Sequence, residues 1–91
     1  MRARIKVYVI LVYDFDEKRV SKALNTCRKY LTWIQRSVFE GEITEVKLYM
    51  LKNELKKIMK DKDSVIIFKL DGKFAIDKEV LGKAQEDTNI L

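Results

Sequence analysis

The stretch "VYVILVYDFDEKR", residues 7–19, runs seven almost unbroken apolar residues into two carboxylates, Asp14 and Asp16. β-branched and aromatic residues dominate residues 5–13, "IKVYVILVY", which predicts a strand. Alternation puts Ile5, Val7, Val9, Leu11 and Tyr13 on one face and Tyr8, Ile10 and Val12 on the other, with Lys6 at the entry. Both faces are largely apolar, so the strand is expected inside a sheet rather than at its edge. The same alternation carries Asp14 to the C-terminal end of the strand, on the face of Val12. A carboxylate closing so apolar a run raises the question of what it binds.

Outward from this strand, the pattern changes period. Residues 16–31 predict a helix, with Asp16 as N-cap and Val20, Ala23, Leu24, Cys27 and Leu31 on one apolar face. Arg28 and Lys29 suit the negative end of its dipole. Residues 32–43, "TWIQRSVFEGEI", are extended and read either as one bent strand or as two short strands turning near Arg36-Ser37. Arg-Ser is poor chemistry for a two-residue hairpin turn, and the sequence leaves both readings open. Thr44 can cap a second helix whose apolar face is Val46, Leu48, Leu51, Leu55, Ile58 and Met59. Its lysines, Lys47, Lys52, Lys56, Lys57 and Lys60, read as a solvated face or as a nucleic-acid-binding one. "DSVIIFKL", residues 63–70, is a further strand, and Asp71-Gly72 signals a hairpin into a short strand over residues 73–76. The tail, residues 77–91, is mixed and is expected to pack on a neighbouring subunit or to fray.

Strand, helix, one or two strands, helix, strand and short strand in 91 residues predict one α+β domain over residues 1–91, a ferredoxin-like βαββαβ sandwich with both helices on one sheet face. A domain this small gains from oligomerising. Fold alone assigns no function, because RNA-recognition modules, small-molecule sensors and a small phosphatase family use the same order. An RNA-recognition module needs stacking aromatics on an open sheet face, a pattern not clear here.

Composition narrows the chemistry. With one Cys and no His, zinc sites, disulfide frameworks, Cys–His nucleophiles and His bases are excluded. Cys27 falls on the apolar stripe and reads as a small core residue. Catalysis would have to come from carboxylates, a metal, Ser, Tyr, Lys or Arg. The net charge of +5 suits nucleic acid, though its spread over the chain is also the pattern of heat-adapted surfaces. No apolar run is long enough to span a membrane, and the N-terminal stretch ends in Tyr-Asp-Phe-Asp rather than a small-residue cleavage site. A cytoplasmic protein is expected.

The candidate chemistry gathers after the first strand: Asp14, Asp16 and Arg19, with Arg36, Ser37, Phe39 and Glu40 on the next extended segment. One carboxylate is a thin metal site, but Mg²⁺ keeps several waters and takes one or two carboxylates. A two-fold dimer would supply the second ligand by bringing two copies of Asp14 together. The hydrolytic nucleophile would then be water activated by the metal, with Arg19 and Arg36 holding phosphates. Two like charges brought together repel, so such a site should depend on both metal and pH. Each residue also has a plainer explanation. Asp14 could meet water, Asp16 could cap, Phe39 could be core, and Ser37 has no base beside it.

The apolar strand ending "VYD", the helix ending "RKYL", the block "IQRSVFEGEIT" and the strand "DSVIIF" together resemble the CRISPR-associated endonuclease family that forms the second core protein of spacer acquisition. The likeness covers about residues 5–76, and "RSVFEG" in register with an upstream "YD" is its most specific part. The resemblance implies a homodimer with an extra C-terminal strand crossing to the partner. It implies that Asp14 is a metal ligand at the dimer axis, for Mg²⁺ or Mn²⁺. It links Arg36, Ser37 and Phe39 to catalysis, and Arg19 and Lys22 to basic positions after the first strand. Family members are described as metal-dependent nucleases on single-stranded RNA or double-stranded DNA. The resemblance equally implies a scaffold that bridges two integrase subunits and holds spacer DNA, contacting phosphates without reading bases.

Overall fold

In the computed structural model, which describes residues 5–71 and 79–82, the predicted first strand is β1, Lys6–Asp14. It is followed by α1, Val20–Arg28; β2, Thr32–Gln35; β3, Val38–Thr44; α2, Glu45–Ile58; and β4, Ser64–Asp71. The sheet order is β2-β3-β1-β4, antiparallel throughout. Each helix therefore connects two strands that have one other strand between them, β3 for α1 and β1 for α2, which is the βαββαβ ferredoxin-like arrangement. β1 lies between β3 and β4, as its two apolar faces require.

The helix side of the sheet carries the core. Val9, Leu11 and Tyr13 of β1 and Phe39 and Ile43 of β3 are buried against Ala23 and Cys27 of α1 and Leu48, Leu51 and Leu55 of α2. At the far end of α1, Lys29 and the Tyr30 hydroxyl both bond the Glu54 carboxylate on α2 and tie the helices together. Thr44 caps α2 as expected, its Oγ1 accepting from the Lys47 amide at 3.1 Å. Among the described residues, no helix is long and apolar enough to cross a membrane.

One open alternative is decided and two local expectations change. Residues 32–43 form two strands, with Gln35 opposite Val38 and Arg36-Ser37 as the turn. The unfavourable turn chemistry is met by Arg36 taking φ 44°, a left-handed conformation uncommon outside glycine. The helix expected from residue 16 begins only at Val20, and Arg19 holds the cap position with no side-chain cap. Asp16 does not cap it; its Oδ1 accepts from the Lys18 amide at 2.9 Å and closes a separate turn. Val46 belongs to the outer side of α2, 45% exposed beside Tyr49 and Met50. Two residues along a helix are about 200° apart, so Val46 and Leu48 cannot share a face. The expected hairpin at Asp71-Gly72, the strand over 73–76 and, apart from 79–82, the tail lie outside the described residues.

Candidate functional site

Asp14 stands at the last position of β1, opposite Ser64 of β4, and is exposed. Alternation places it on the sheet face that carries no helix, with Tyr8, Ile10 and Val12. On the same face β4 presents Ile66 and Phe68, 53% and 54% exposed, beside Val12 and Ile10. The open face therefore carries an apolar strip across β1 and β4 with Asp14 at one end, flanked on β3 by Glu40 opposite Ile10 and Glu42 opposite Tyr8. Among the described residues, the Asp14 side chain has no hydrogen-bond or ion-pair partner. No group of three or more acidic or thiol side chains among them could hold a metal. One chain thus offers one free carboxylate, a donor set that fits a cation keeping most of its own waters and needing a second carboxylate from elsewhere.

The β2–β3 turn comes to the same end of the sheet. The Tyr13 amide donates to the Ser37 carbonyl at 3.1 Å, which fastens the turn to β1 one residue before Asp14. The Trp33 indole donates to the Arg36 carbonyl at 2.9 Å and closes the turn from the β2 side. The left-handed Arg36 is thus pinned at both ends, while its side chain is exposed. Burial pushes the Tyr13 phenol above its ordinary value, and the neighbouring Ser37 side chain partly offsets this. Glu40 is half-buried on the open face opposite Ile10.

Phe39 and Arg19 have different settings. Phe39 is fully buried on the helix side, its ring stacked on Tyr13 at 6.1 Å. It reaches no surface, so its bearing on the site runs through Tyr13. The Arg19 guanidinium donates from Nε to Asp63 Oδ2 at 2.6 Å and from Nη2 to Asp63 Oδ1 at 3.1 Å. It faces a carboxylate of its own chain. Cys27 is buried and its thiol is pushed up to about 12, which leaves it inert as a nucleophile.

Sequence reasoning passed over Asp63. Its side chain is wholly out of solvent, yet both oxygens are satisfied. Besides Arg19 they accept the Asp16 amide at 2.9 Å and the Lys60 amide at 2.9 Å. A buried charge persists only when paired and hydrogen-bonded in this way. The Arg19 guanidinium, joined by those amides, holds Asp63 well below the usual carboxylate range against the opposing effect of desolvation. A carboxylate titrating lower when folded than unfolded contributes stability that is complete above the unfolded value, about 3.9. That contribution fades as pH falls below it. Asp63→Asn should therefore be clearly less stable than the parent at pH 7, with the gap closing as the pH drops below about 4. Urea unfolding at a series of pH values measures it, and a gap that stays constant would contradict the assignment.

The family model described as "CRISPR associated protein Cas2" matches residues 7–75. The chain belongs to the Cas2 family. It is 49% identical over 77 residues to "CRISPR-associated endoribonuclease Cas2" of Dictyoglomus turgidum, covering 84% of this chain and 88% of that one. It is 46% identical over 77 residues to the protein of the same name from Thermotoga maritima, with the same coverage. Among solved structures it superposes on one titled "Crystal structure of cas2" with a TM-score of 0.78 and 44% identity, over 86% of this chain and 88% of that chain. The matched span of the Cas2 model takes in Asp14, Arg19, Arg36, Ser37, Phe39 and Asp63. The earlier resemblance is therefore correct as to family and fold.

Proposed function

We propose that this Cas2 family member is a metal-dependent endoribonuclease working as a homodimer. The observation that carries the reading is Asp14, an exposed carboxylate without a partner among the described residues, at the end of the apolar strip that β1 and β4 present on the open sheet face. An exposed apolar face of this kind marks an interaction surface. A second copy is the occupant that also supplies what the site lacks. Packing the two faces about a two-fold axis buries Ile66 and Phe68 and brings a second Asp14 from the partner. The curated relatives bear the name endoribonuclease, and their likeness covers 84% of this chain.

In this reading the two Asp14 carboxylates would hold one Mg²⁺, for which Mn²⁺ could substitute. The cation, when bound, supplies Lewis acidity at a phosphodiester oxygen. Arg36 has the exposed guanidinium at this end of the sheet and binds the phosphate of the substrate. Ser37 is tied to Tyr13 and orients the turn; no base stands beside it among the described residues. Arg19 and Phe39 shape the site from below, through Asp63 and Tyr13. The substrate is single-stranded RNA, double-stranded DNA being the competing one, and the enzyme works in the cytoplasm.

A second reading has its own observation. Lys47, Lys56, Lys57 and Lys60 are exposed along and just beyond α2, and the net charge is +5. Doubled in a dimer, such a surface binds phosphate backbones without base contacts. The protein would then be a scaffold that holds DNA and bridges integrase subunits in spacer acquisition. Cleavage of labelled single-stranded RNA and double-stranded DNA, with Mg²⁺ or with chelator, separates the two. The nuclease reading expects metal-dependent cutting that disappears in Asp14→Ala while sedimentation still reports a dimer. Salt-sensitive DNA binding with no cutting would support the scaffold, and cutting that survives Asp14→Ala would mean that Asp14 is not catalytic.

A further inference from the structure

We propose that Asp63 is a positioning residue of the Asp14 site, a proposal that rests on the Asp14 reading above. Asp63 immediately precedes Ser64, the residue paired with Asp14 across β1 and β4. From there its carboxylate takes the amide of Asp16, two residues beyond Asp14, at 2.9 Å. It also takes both arms of Arg19, at the entry to α1, at 2.6 and 3.1 Å. A further bond from the Lys60 amide at 2.9 Å fixes the loop that delivers Asp63 itself. One buried side chain therefore joins the exit of β1, the start of α1 and the approach to β4.

This matters because Asp14 sits at the end of its strand, where the ladder stops. The Lys18 and Arg19 amides bond only within the local turn, to Asp16. Asp63 is what ties that turn to the sheet across 47 positions of sequence. Asp14 is an exposed ligand with no side-chain partner of its own among the described residues. Its placement depends on how firmly residues 14–16 are held, and a site for a shared cation tolerates little looseness. Asparagine at position 63 keeps the shape but turns its Nδ2 donor toward groups that are also donors, Arg19 Nε and the Lys60 amide.

The test uses the full chain, comparing the parent with Asp63→Asn and with Arg19→Lys, the milder change that keeps the charge but loses the fork. Amide hydrogen exchange reads the segment directly. Protection at Phe15 and Asp16 should fall by about tenfold or more in Asp63→Asn, while Val9 and Leu11 hold theirs. Mg²⁺-dependent RNA cleavage should lose about ten- to a hundredfold in kcat with KM little changed. Arg19→Lys should fall between the two. Unchanged protection at residues 15–16, a loss shared equally by the whole sheet, or an unchanged kcat in Asp63→Asn would each overturn the proposal. Equal cleavage by Asp14→Ala and the parent would instead sink the Asp14 reading, and hydrogen exchange alone would then decide whether Asp63 holds the segment.

Discussion

Phe39→Ala should cost about 3–5 kcal/mol of folding free energy, the range for emptying a fully buried aromatic site. Phe39 has no exposure and packs face to face with Tyr13 beneath the helices. Truncation removes both the transfer energy of the ring and the contacts of its neighbours, in a domain whose whole stability is only about 5–15 kcal/mol. The milder Phe39→Leu keeps most of the volume and should cost about 1.5 kcal/mol or less, leaving a folded protein to assay. Cleavage per folded molecule by Phe39→Leu should remain near the parent value. Urea unfolding and a cleavage assay on the same samples check both halves. A variant of normal stability that has lost cleavage would mean that the ring meets substrate, against its burial.

A charge on the open face should separate the proposed dimer. Phe68 is 54% exposed on β4 opposite Ile10. Phe68→Glu costs the isolated chain little, because the side chain already meets water. In a two-fold dimer the same substitution enters the interface twice. Each copy buries an unpaired carboxylate, and breaking a buried charge pairing costs about 3–5 kcal/mol. Dimer affinity should therefore drop by about a hundredfold or more, with metal-dependent cleavage lost in parallel. Sedimentation at several concentrations measures the first effect, and circular dichroism confirms that the monomer keeps its fold. An unchanged dimer would mean that the subunits meet through another surface and that the two Asp14 residues do not face each other.

Much of this architecture could be read from local pattern. The unbroken alternation of residues 5–13 identifies a central strand, because both faces must be apolar in the middle of a sheet. The same alternation places Asp14 on the face of Val12, where β1 carries it. Thr44 is readable as a cap because capping is settled within three residues, and its bond to Lys47 follows. Non-local features escape such reading. Asp16 has the right type and spacing for an N-cap, yet its amide is drawn to Asp63, 47 residues away, and the chain makes another turn before α1 begins. A carboxylate just ahead of a strand looks like any other polar boundary residue. Only the approach of Arg19 marks Asp63, and that pairing exists only once β1 and β4 are adjacent.

The Arg36-Ser37 turn fails in the opposite direction. Local chemistry argues against a tight hairpin there, but Trp33 and the β1 backbone hold it in place. A strained backbone maintained by its surroundings, next to a carboxylate without a partner among the described residues, is the kind of conflict that concentrates at functional sites. Among the residues that the family resemblance links to activity, Asp14 and Arg36 present exposed side chains and Phe39 none. The block "RSVFEG" therefore combines surface positions with a core one, as alternation along a strand requires.

The most direct test of the shared Asp14 site is Mn²⁺ binding, counted by electron paramagnetic resonance on the parent protein and on Asp14→Ala, each verified as a dimer. The expected result is one bound ion for every two chains in the parent and none in Asp14→Ala. An ion bound once per chain, or binding that survives the loss of Asp14, would contradict a single cation held across the two-fold axis.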